Sequence, residues 1–487
     1  MDEEKRKKFN IFKLSGKTCI IINVVFVMLI FIAMIAHIVI FVANNEEEMI
    51  NNSYNSRQEI LLSRNYRGSI LSRDKDVLAK TSFDEYDNES REYPYGEIFS
   101  HIVGYADKGK AGVEYLGNYY LINTDIPLAQ KVRNDTAGRK NPGNNVVTTL
   151  DVEIQKAADD QLGLYRGAIV VTEVKTGKIL AMVSHPDFDP NEISNIWDDI
   201  INDETSSVLL NRATQGLYPP GSTFKIVTAL EYYREYHSEG IDNYRFTCSG
   251  RYSKGASSIS CYHGTVHGNV NFFSSFAKSC NSSFANIGMS LDRALFDQTL
   301  DDLLFNGELP LDIPYSKSSA YVSEDTSDSL MMQTSIGQGN TQMTPIHLNM
   351  ITMAIANGGE LMKPRVMDRI ENANGSVIKT YENESYGFII TEDEAATLKS
   401  LMINVVESGT APKLKNDNYT AAGKTGSAEY GNVKGDSHAW FTGFAPAEDP
   451  MVAVTVIVEG AGSGGDYAVP IAKRIFDEYF RQEGIIN

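Results

Sequence analysis

The sequence predicts an α+β fold: a single N-terminal transmembrane helix, a small mixed domain, then a larger domain whose antiparallel sheet packs between helices. Three observations predict it. No charged residue interrupts the apolar run from Thr18 to Ala43. The turn signal Asn141-Pro142-Gly143-Asn144 separates two regions of different pattern. Beyond that turn, strand-like runs lie at both ends of the chain, with helical runs between them.

About 20 apolar residues cross a bilayer core, so residues 18–43 span one with some tilt. Lys5, Arg6, Lys7, Lys8, Lys13 and Lys17 precede the run, and Glu46, Glu47 and Glu48 follow it. The positive-inside rule makes residues 1–17 a cytoplasmic tail and puts everything after Asn44 outside. A cleaved signal peptide would show an apolar region of only about 7–15 residues and a small-residue cleavage site. No A-x-A pattern follows this run, so an uncleaved anchor is expected, with His37 tolerated near the outer interface.

Residues 44–143 are read as the small domain. It starts with a polar tether or solvated helix to about Gln58, then a turn and short strand through Arg67-Gly68-Ser69-Ile70 and Val77-Leu78-Ala79. Gly-punctuated segments follow, through Tyr93-Pro94-Tyr95-Gly96, Gly104-Tyr105 and Gly112-Val113-Glu114. Residues 144–487 are read as the larger domain. Val146 to Leu150 is a β-rich run and Ile154 to Leu162 has helical spacing. Ala168 to Val171 and Ile179 to Val183 flank Lys175-Thr176-Gly177, which predicts a hairpin. Thr344-Pro345 opens a helix that ends at Gly358-Gly359. Thr391 and Glu394 form a capping-box pattern for a helix to about Val406. His438 to Ala445 and Val452 to Val458 read as paired strands, and Ile471 to Phe480 as a closing amphipathic helix.

The 487 residues are 42% hydrophobic, enough for a substantial core. With 63 acidic against 44 basic residues the formal charge is -19, which argues against a general nucleic-acid binder. Four cysteines do not make a disulfide scaffold.

Candidate chemistry begins at Pro219-Pro220-Gly221-Ser222-Thr223-Phe224-Lys225, a breaker that opens an apolar helix. Ser222 sits at the helix mouth, where unpaired N–H groups favour developing negative charge. Lys225, three residues on, faces the same side and supplies an amine base, so Ser222 is a candidate acyl-transfer nucleophile. The S-x-x-K pattern occurs four times, at Ser72, Ser222, Ser275 and Ser376, and only the Ser222 copy has this context. A second element is Ser279-Cys280-Asn281. Residues two apart do not share a helix face, so this pair works only on a turn, with Ser279 relaying a proton and Asn281 holding a substrate amide. The same pattern recurs at Ser53-Tyr54-Asn55 and Ser63-Arg64-Asn65. A third is Lys424-Thr425-Gly426-Ser427, read as a strand before a turn near Gly431. There Gly426 admits a close backbone, Thr425 and Ser427 bind a carboxylate, and Lys424 adds positive charge. The other Lys-Thr-Gly, at Lys175, lies in the hairpin turn and is structural.

In the order S-x-x-K, S-x-N, K-T-G, the three motifs are far more specific than any one. The sequence resembles the penicillin-recognising serine transpeptidases, and more narrowly the class B penicillin-binding proteins. Arg67-Gly68-Ser69-Ile70, Gly112-Val113-Glu114, Asp189-Pro190-Asn191, Gly337-Gln338-Gly339, Thr344-Pro345 and Trp440-Phe441-Thr442-Gly443 carry the resemblance over most of the chain from Arg67 onward. Cys280 stands at a variable position of the middle motif. Ser72-Arg73-Asp74-Lys75-Asp76 replaces the usual Asp-Arg-Asn-Gly form, and the short pedestal resembles the penicillin-binding protein A-like branch. No C-terminal PASTA repeats are expected.

The resemblance implies a membrane-anchored D,D-transpeptidase that cross-links peptidoglycan stem peptides, releases D-Ala and is acylated by β-lactams. It implies Ser222 as nucleophile and Lys225 as base, held neutral by burial and by a cationic Lys424. It implies an oxyanion hole from the Ser222 and Ser427 N–H groups, and Ser279 as proton relay to the leaving D-Ala. A SEDS-type glycosyltransferase and the cell-wall machinery are the implied partners. No cofactor or metal is expected. A D,D-carboxypeptidase or β-lactamase is the enzymatic alternative, but no E-x-x-L-N segment lies between Asn281 and Lys424 to supply a deacylating Glu. A β-lactam sensor or division scaffold is the non-enzymatic one, and no signalling domain is expected in the 17 residues before the span.

Cys248, Cys261, His263 and His267 have a zinc-like look, but their spacing is irregular and the histidines lie in a Gly-rich loop. A Cys248–Cys261 disulfide outside the membrane is the preferred reading. Cys280 is read as a small packed thiol, and His438 and Trp440 as core or cleft-lining residues.

Overall fold

The computed structural model describes residues 16–51, 57–203, 205–430 and 436–486. Lys5, Arg6, Lys7, Lys8 and Lys13, the Ser53-Tyr54-Asn55 copy and the turn at Gly431 lie outside the described residues, as do the side chains of Glu46, Glu47 and Glu48. The chain forms two compact units, Met1–Leu62 and Ser63–Asn487. In the first, one helix, Gly16–Asn51 (α1), carries the apolar run, and its 27 residues Gly16–Val42 are long and apolar enough to cross a membrane. At 1.5 Å per residue they reach about 40 Å, more than a hydrocarbon core requires. Helix geometry continues past the apolar run to Asn51, so the first part of the expected tether is helical.

The second unit holds two main sheets. The smaller takes strands Ile70–Leu71 (β1), Val77–Phe83 (β2), Glu89–Glu92 (β3) and Asn145–Thr148 (β4), and is completed by Met367–Glu371 and Val377–Thr380. It therefore crosses the sequence position Asn144, taking strands from both sides of it. The Asn141–Asn144 turn is not a free linker: Asn141 and Pro142 pair with Asn65 and Tyr66, and a Cβ on Gly143 would lie 2.0 Å from the Leu121 carbonyl oxygen. A buried charge cluster organises this region. Arg67 Nε donates to Glu114 Oε2 at 2.5 Å and Arg91 Nε to Glu114 Oε1 at 2.7 Å, while Arg67 Nη1 donates to Asn118 Oδ1. Burial opposes ionisation of Glu114, but the two guanidiniums hold its carboxyl below the usual range.

The larger sheet has five strands, Gly167–Glu173 (β5), Ile179–His185 (β6), Ala422–Glu429 (β7), Ser437–Ala445 (β8) and Val452–Val458 (β9). Their order is β7-β8-β9-β5-β6 and every pair is antiparallel. Strands β8 and β9 are buried along their whole length, because both faces are covered, and so they read as continuous apolar runs rather than alternating ones. Helices Val152–Leu162 (α2), Lys225–Asn243 (α3), Asn281–Gly288 (α4), Pro345–Ala356 (α5), Glu392–Ser408 (α6) and Ala468–Gln482 (α7) complete the domain. α2 and α7 pack on one face of the sheet; α5 lies on the other, with α6 against the edge strand β7 and α3 behind. The capping box at Thr391 forms in both directions: Thr391 N donates to Glu394 Oε2 at 2.7 Å, and Glu394 N to Thr391 Oγ1 at 3.2 Å. The sheet-between-helices architecture is the one the sequence predicts.

Candidate active site

Gly221–Phe224 is a 3₁₀ turn that leads into α3 at Lys225. With three residues per turn, 3₁₀ geometry eclipses residues i and i+3, so Ser222 and Lys225 lie one above the other. Gly221 has φ 54°, and an added Cβ would meet Ala428 at 2.9 Å, so the turn needs glycine both for its left-handed backbone and for its approach to β7. Trp440, fully buried on β8, fixes the turn from the far side by donating Nε1–H to Pro219 O at 3.1 Å. His438 instead accepts from Gly460 N through Nδ1 and stacks on Tyr430.

Ser279 occupies the left-handed region at φ 55°, between the helix Phe272–Ala277 and α4. That conformation, costing on the order of 1–3 kcal/mol for a non-glycine residue, lets side chains two apart converge, as the sequence reading requires. Lys225 Nζ lies 3.0 Å from Ser222 Oγ, 2.8 Å from Ser279 O, 3.1 Å from Ser279 Oγ and 2.7 Å from Asn281 Oδ1. Lys424, on the edge strand β7, donates to the same Ser279 Oγ at 3.0 Å and to Thr425 O at 3.0 Å. Five side chains separated widely in sequence thus share one hydrogen-bond network.

Both lysines are fully buried. Their amines lie 5.5 Å from the rings of Phe284 and Phe276 respectively, an apolar setting that disfavours charge. Burial lowers Lys225 from 10.5 to about 7, partly offset by negative charge at Cys280 and Cys261. Burial also pushes Lys424 well down, and the charge of Lys225 pushes it further. This revises the expected cause of a neutral Lys225. The effect of burial comes first, and Lys424 is not among the groups that shift Lys225.

Ser222 lies where two clefts meet. One, of about 460 Å³, is also lined by Ser279, Asn281, Thr425, Ser427 and Thr410. The other, of about 700 Å³, reaches Tyr262, Gln338 and Glu429. Gly426 lets β7 run close under the turn, since a Cβ there would lie 3.1 Å from Pro220 O and 3.0 Å from Trp440 Cβ. Thr410, which no motif flags, hydrogen-bonds to Thr425 Oγ1 at 2.5 Å. Its segment is fixed by Gly409, where a Cβ would meet Ala277 O at 2.3 Å.

The expected Cys248–Cys261 disulfide is not formed. The sulfurs are 3.7 Å apart and both cysteines are free, against the ~2.05 Å of a bond. Cys280 and His267 lie beside them, while His263 is exposed and packs on Tyr262.

The chain matches two family models, the penicillin binding protein transpeptidase domain over residues 167–477 and the penicillin binding protein A dimerisation domain over residues 67–146. It is 30% identical over 452 residues to the peptidoglycan D,D-transpeptidase PbpA of Mycolicibacterium smegmatis, covering 85% of this chain and 90% of that protein. Among solved structures it is similar to penicillin-binding protein A of M. tuberculosis in a ceftriaxone acyl-enzyme complex, with TM-score 0.78, 28% identity and coverage of 85% and 98% of the two chains. The D,D-transpeptidase domain of an Eggerthella lenta peptidoglycan glycosyltransferase matches with TM-score 0.78 and 28% identity, covering 87% of this chain and all of that one.

Proposed function

Because the chain belongs to the penicillin-binding protein transpeptidase family, we propose that it cross-links peptidoglycan stem peptides by a serine acyl-enzyme route with Ser222 as nucleophile. The observation that carries this is the amine of Lys225, 3.0 Å from Ser222 Oγ and lowered to about 7. Two of its neighbours, Ser279 O and Asn281 Oδ1, can only accept. They take both N–H groups of a neutral amine and leave its lone pair for a hydroxyl. Ser222 attacks the carbonyl of the penultimate D-Ala and passes its proton to Lys225. The N–H groups of Ser222 and Ser427 receive the oxyanion, an effect worth ~3–4 kcal/mol per donor. Ser279, bonded to both amines, returns the proton to the departing D-Ala. Thr425 and Ser427 hold the terminal carboxylate, helped by Lys424, and Gly426 keeps the strand close. An amine of a second stem peptide then attacks the ester, freeing Ser222 and forming the cross-link. A β-lactam enters the same path and stays as the ester.

The apolar helix α1 supports a single-pass cell-membrane protein with residues 1–17 cytoplasmic and the catalytic domain outside, following the positive-inside rule. In this reading the chain divides into the membrane helix, a pedestal to residue 143 and the transpeptidase domain beyond it. A SEDS-type glycosyltransferase supplies the glycan strands on which it works. The test is a cross-linking assay with lipid-linked precursor and polymerase. Wild-type protein should yield cross-linked dimers and free D-Ala, and the Ser222→Ala variant neither. Undiminished cross-linking by that variant overturns the proposal.

A further inference from the structure

Cys248, Cys261, His267 and Cys280 place four ligand atoms within 4.8 Å of one another. The edges are 3.7 Å for Cys248 Sγ–Cys261 Sγ, 3.7 Å for Cys261 Sγ–Cys280 Sγ and 3.6 Å for Cys248 Sγ–His267 Nδ1. A tetrahedral zinc ion with Zn–S of ~2.3 Å and Zn–N of ~2.0–2.1 Å has S···S edges of about 3.8 Å and S···N edges of about 3.6 Å. The sulfurs are too far apart for a disulfide and spaced as ligands of one ion would be.

The surroundings fit thiolates. All three cysteines are buried. Each sulfur receives a backbone N–H: Gly250 N on Cys248 at 3.3 Å, Ser282 N on Cys261 at 3.5 Å, and Ser283 N on Cys280 at 3.4 Å. The Ser282 hydroxyl adds a further contact to Cys261 at 3.1 Å. Such donors stabilise a sulfur that carries negative charge and orient it toward a metal. Gly250, whose N–H reaches Cys248 Sγ, sits at φ 91°, and a Cβ there would lie 2.8 Å from Gly264 O, so the loop needs glycine at this point.

We propose that these four residues form a structural zinc site, in which the ion ties the Ser279-Cys280-Asn281 turn to the paired strands Arg245–Cys248 and Gly268–Asn271. On binding, the three thiols lose their protons to solvent and the imidazole binds as the neutral ring, leaving one net negative charge on the site. The chain crosses this point four times, at the end of one strand, after the hairpin Arg251–Ser260, just before the strand at Gly268 and at the N-cap of α4. No short Cys-x-x-Cys pair results, which is why the spacing alone led to an expectation of no metal. Cys280 separates Ser279 from Asn281, so the ion would hold both against Lys225; this positioning role rests on the functions proposed for them above.

The test uses the full chain in detergent, with any affinity tag removed. Metal analysis should find one zinc per chain in the wild type. Cobalt added to the stripped protein should give a sulfur-to-cobalt charge-transfer band. His267→Ala, which removes the least buried ligand and spares the packed cysteines, should weaken zinc binding by at least ~100-fold. Chelation should slow acylation by fluorescent penicillin at least tenfold, and zinc should restore it. Wild-type protein with neither bound zinc nor a cobalt band, or a Cys248–Cys261 disulfide found by peptide mass spectrometry, overturns the site. Full acylation after zinc removal overturns the positioning role. Zinc-loaded protein that is never acylated instead counts against the proposed function and leaves the metal site standing.

Discussion

Replacing Lys424 by Met separates two causes of a neutral Lys225. An amine titrating at 10.5 is only ~0.03% neutral at pH 7, whereas one lowered to about 7 is about half neutral, a gain of roughly a thousandfold in competent base. The structure assigns that gain to burial. Lys424 is itself fully buried and pushed well below its ordinary value by burial, so its own charge is disfavoured as well. The Met side chain keeps the volume and the apolar wall beside Phe276 but deletes the bond to Ser279 Oγ. The second-order rate of acylation by fluorescent penicillin, followed from mildly acidic to alkaline pH, should fall by ~10²–10⁴ through loss of proton relay. Its acid limb should still rise with a midpoint near 7. If the charge of Lys424 held Lys225 neutral, removing it would move that midpoint upward by ~1–3 pH units. Such a shift would refute the burial argument.

Two further predictions concern stability. Glu114→Ala strands two guanidiniums that are only 8% and 6% exposed, so it should cost ~3–5 kcal/mol, read as a lowered urea midpoint; a cost under ~1 kcal/mol would contradict the cluster's role. His347, buried on α5, donates Nε2–H to Leu303 O, and burial lowers it to about 4. Between ~6.5 and 4 the unfolded chain binds the extra proton, so stability is lost as pH falls through that window, by up to ~3 kcal/mol. His347→Gln should flatten the pH dependence of the urea midpoint there; an unchanged slope would show that other groups carry it.

Local signals in the sequence led to local features. The capping box at Thr391 and Glu394, the hairpin around Lys175 and the helix after Pro219-Pro220-Gly221 all depend on residues a few positions apart, and each forms as the pattern predicts. The turn needed by Ser279 and Asn281 followed from helix periodicity alone. What the sequence did not reveal depends on distant neighbours. The small sheet borrows Met367–Glu371, nearly 300 residues after β1, and nothing in that segment announces the pairing. The state of Lys225 depends on Phe284 and the depth of the pocket, which no motif encodes. Thr410 was hidden for the same reason, and so was the place of Cys280 beside Cys248, Cys261 and His267, whose zinc-like look the sequence did show. Ligands at 248, 261, 267 and 280 become neighbours only when two hairpins and a helix N-terminus meet, and irregular spacing conceals that in one dimension.

The central claim is that Ser222 is the residue that becomes covalently bound. Intact-mass analysis after incubation with penicillin, followed by peptide mapping, tests it directly. One adduct per chain is predicted, on the peptide that contains Ser222, with none on Ser222→Ala protein that remains folded. An adduct on any other residue, or one that persists in the variant, would contradict the account.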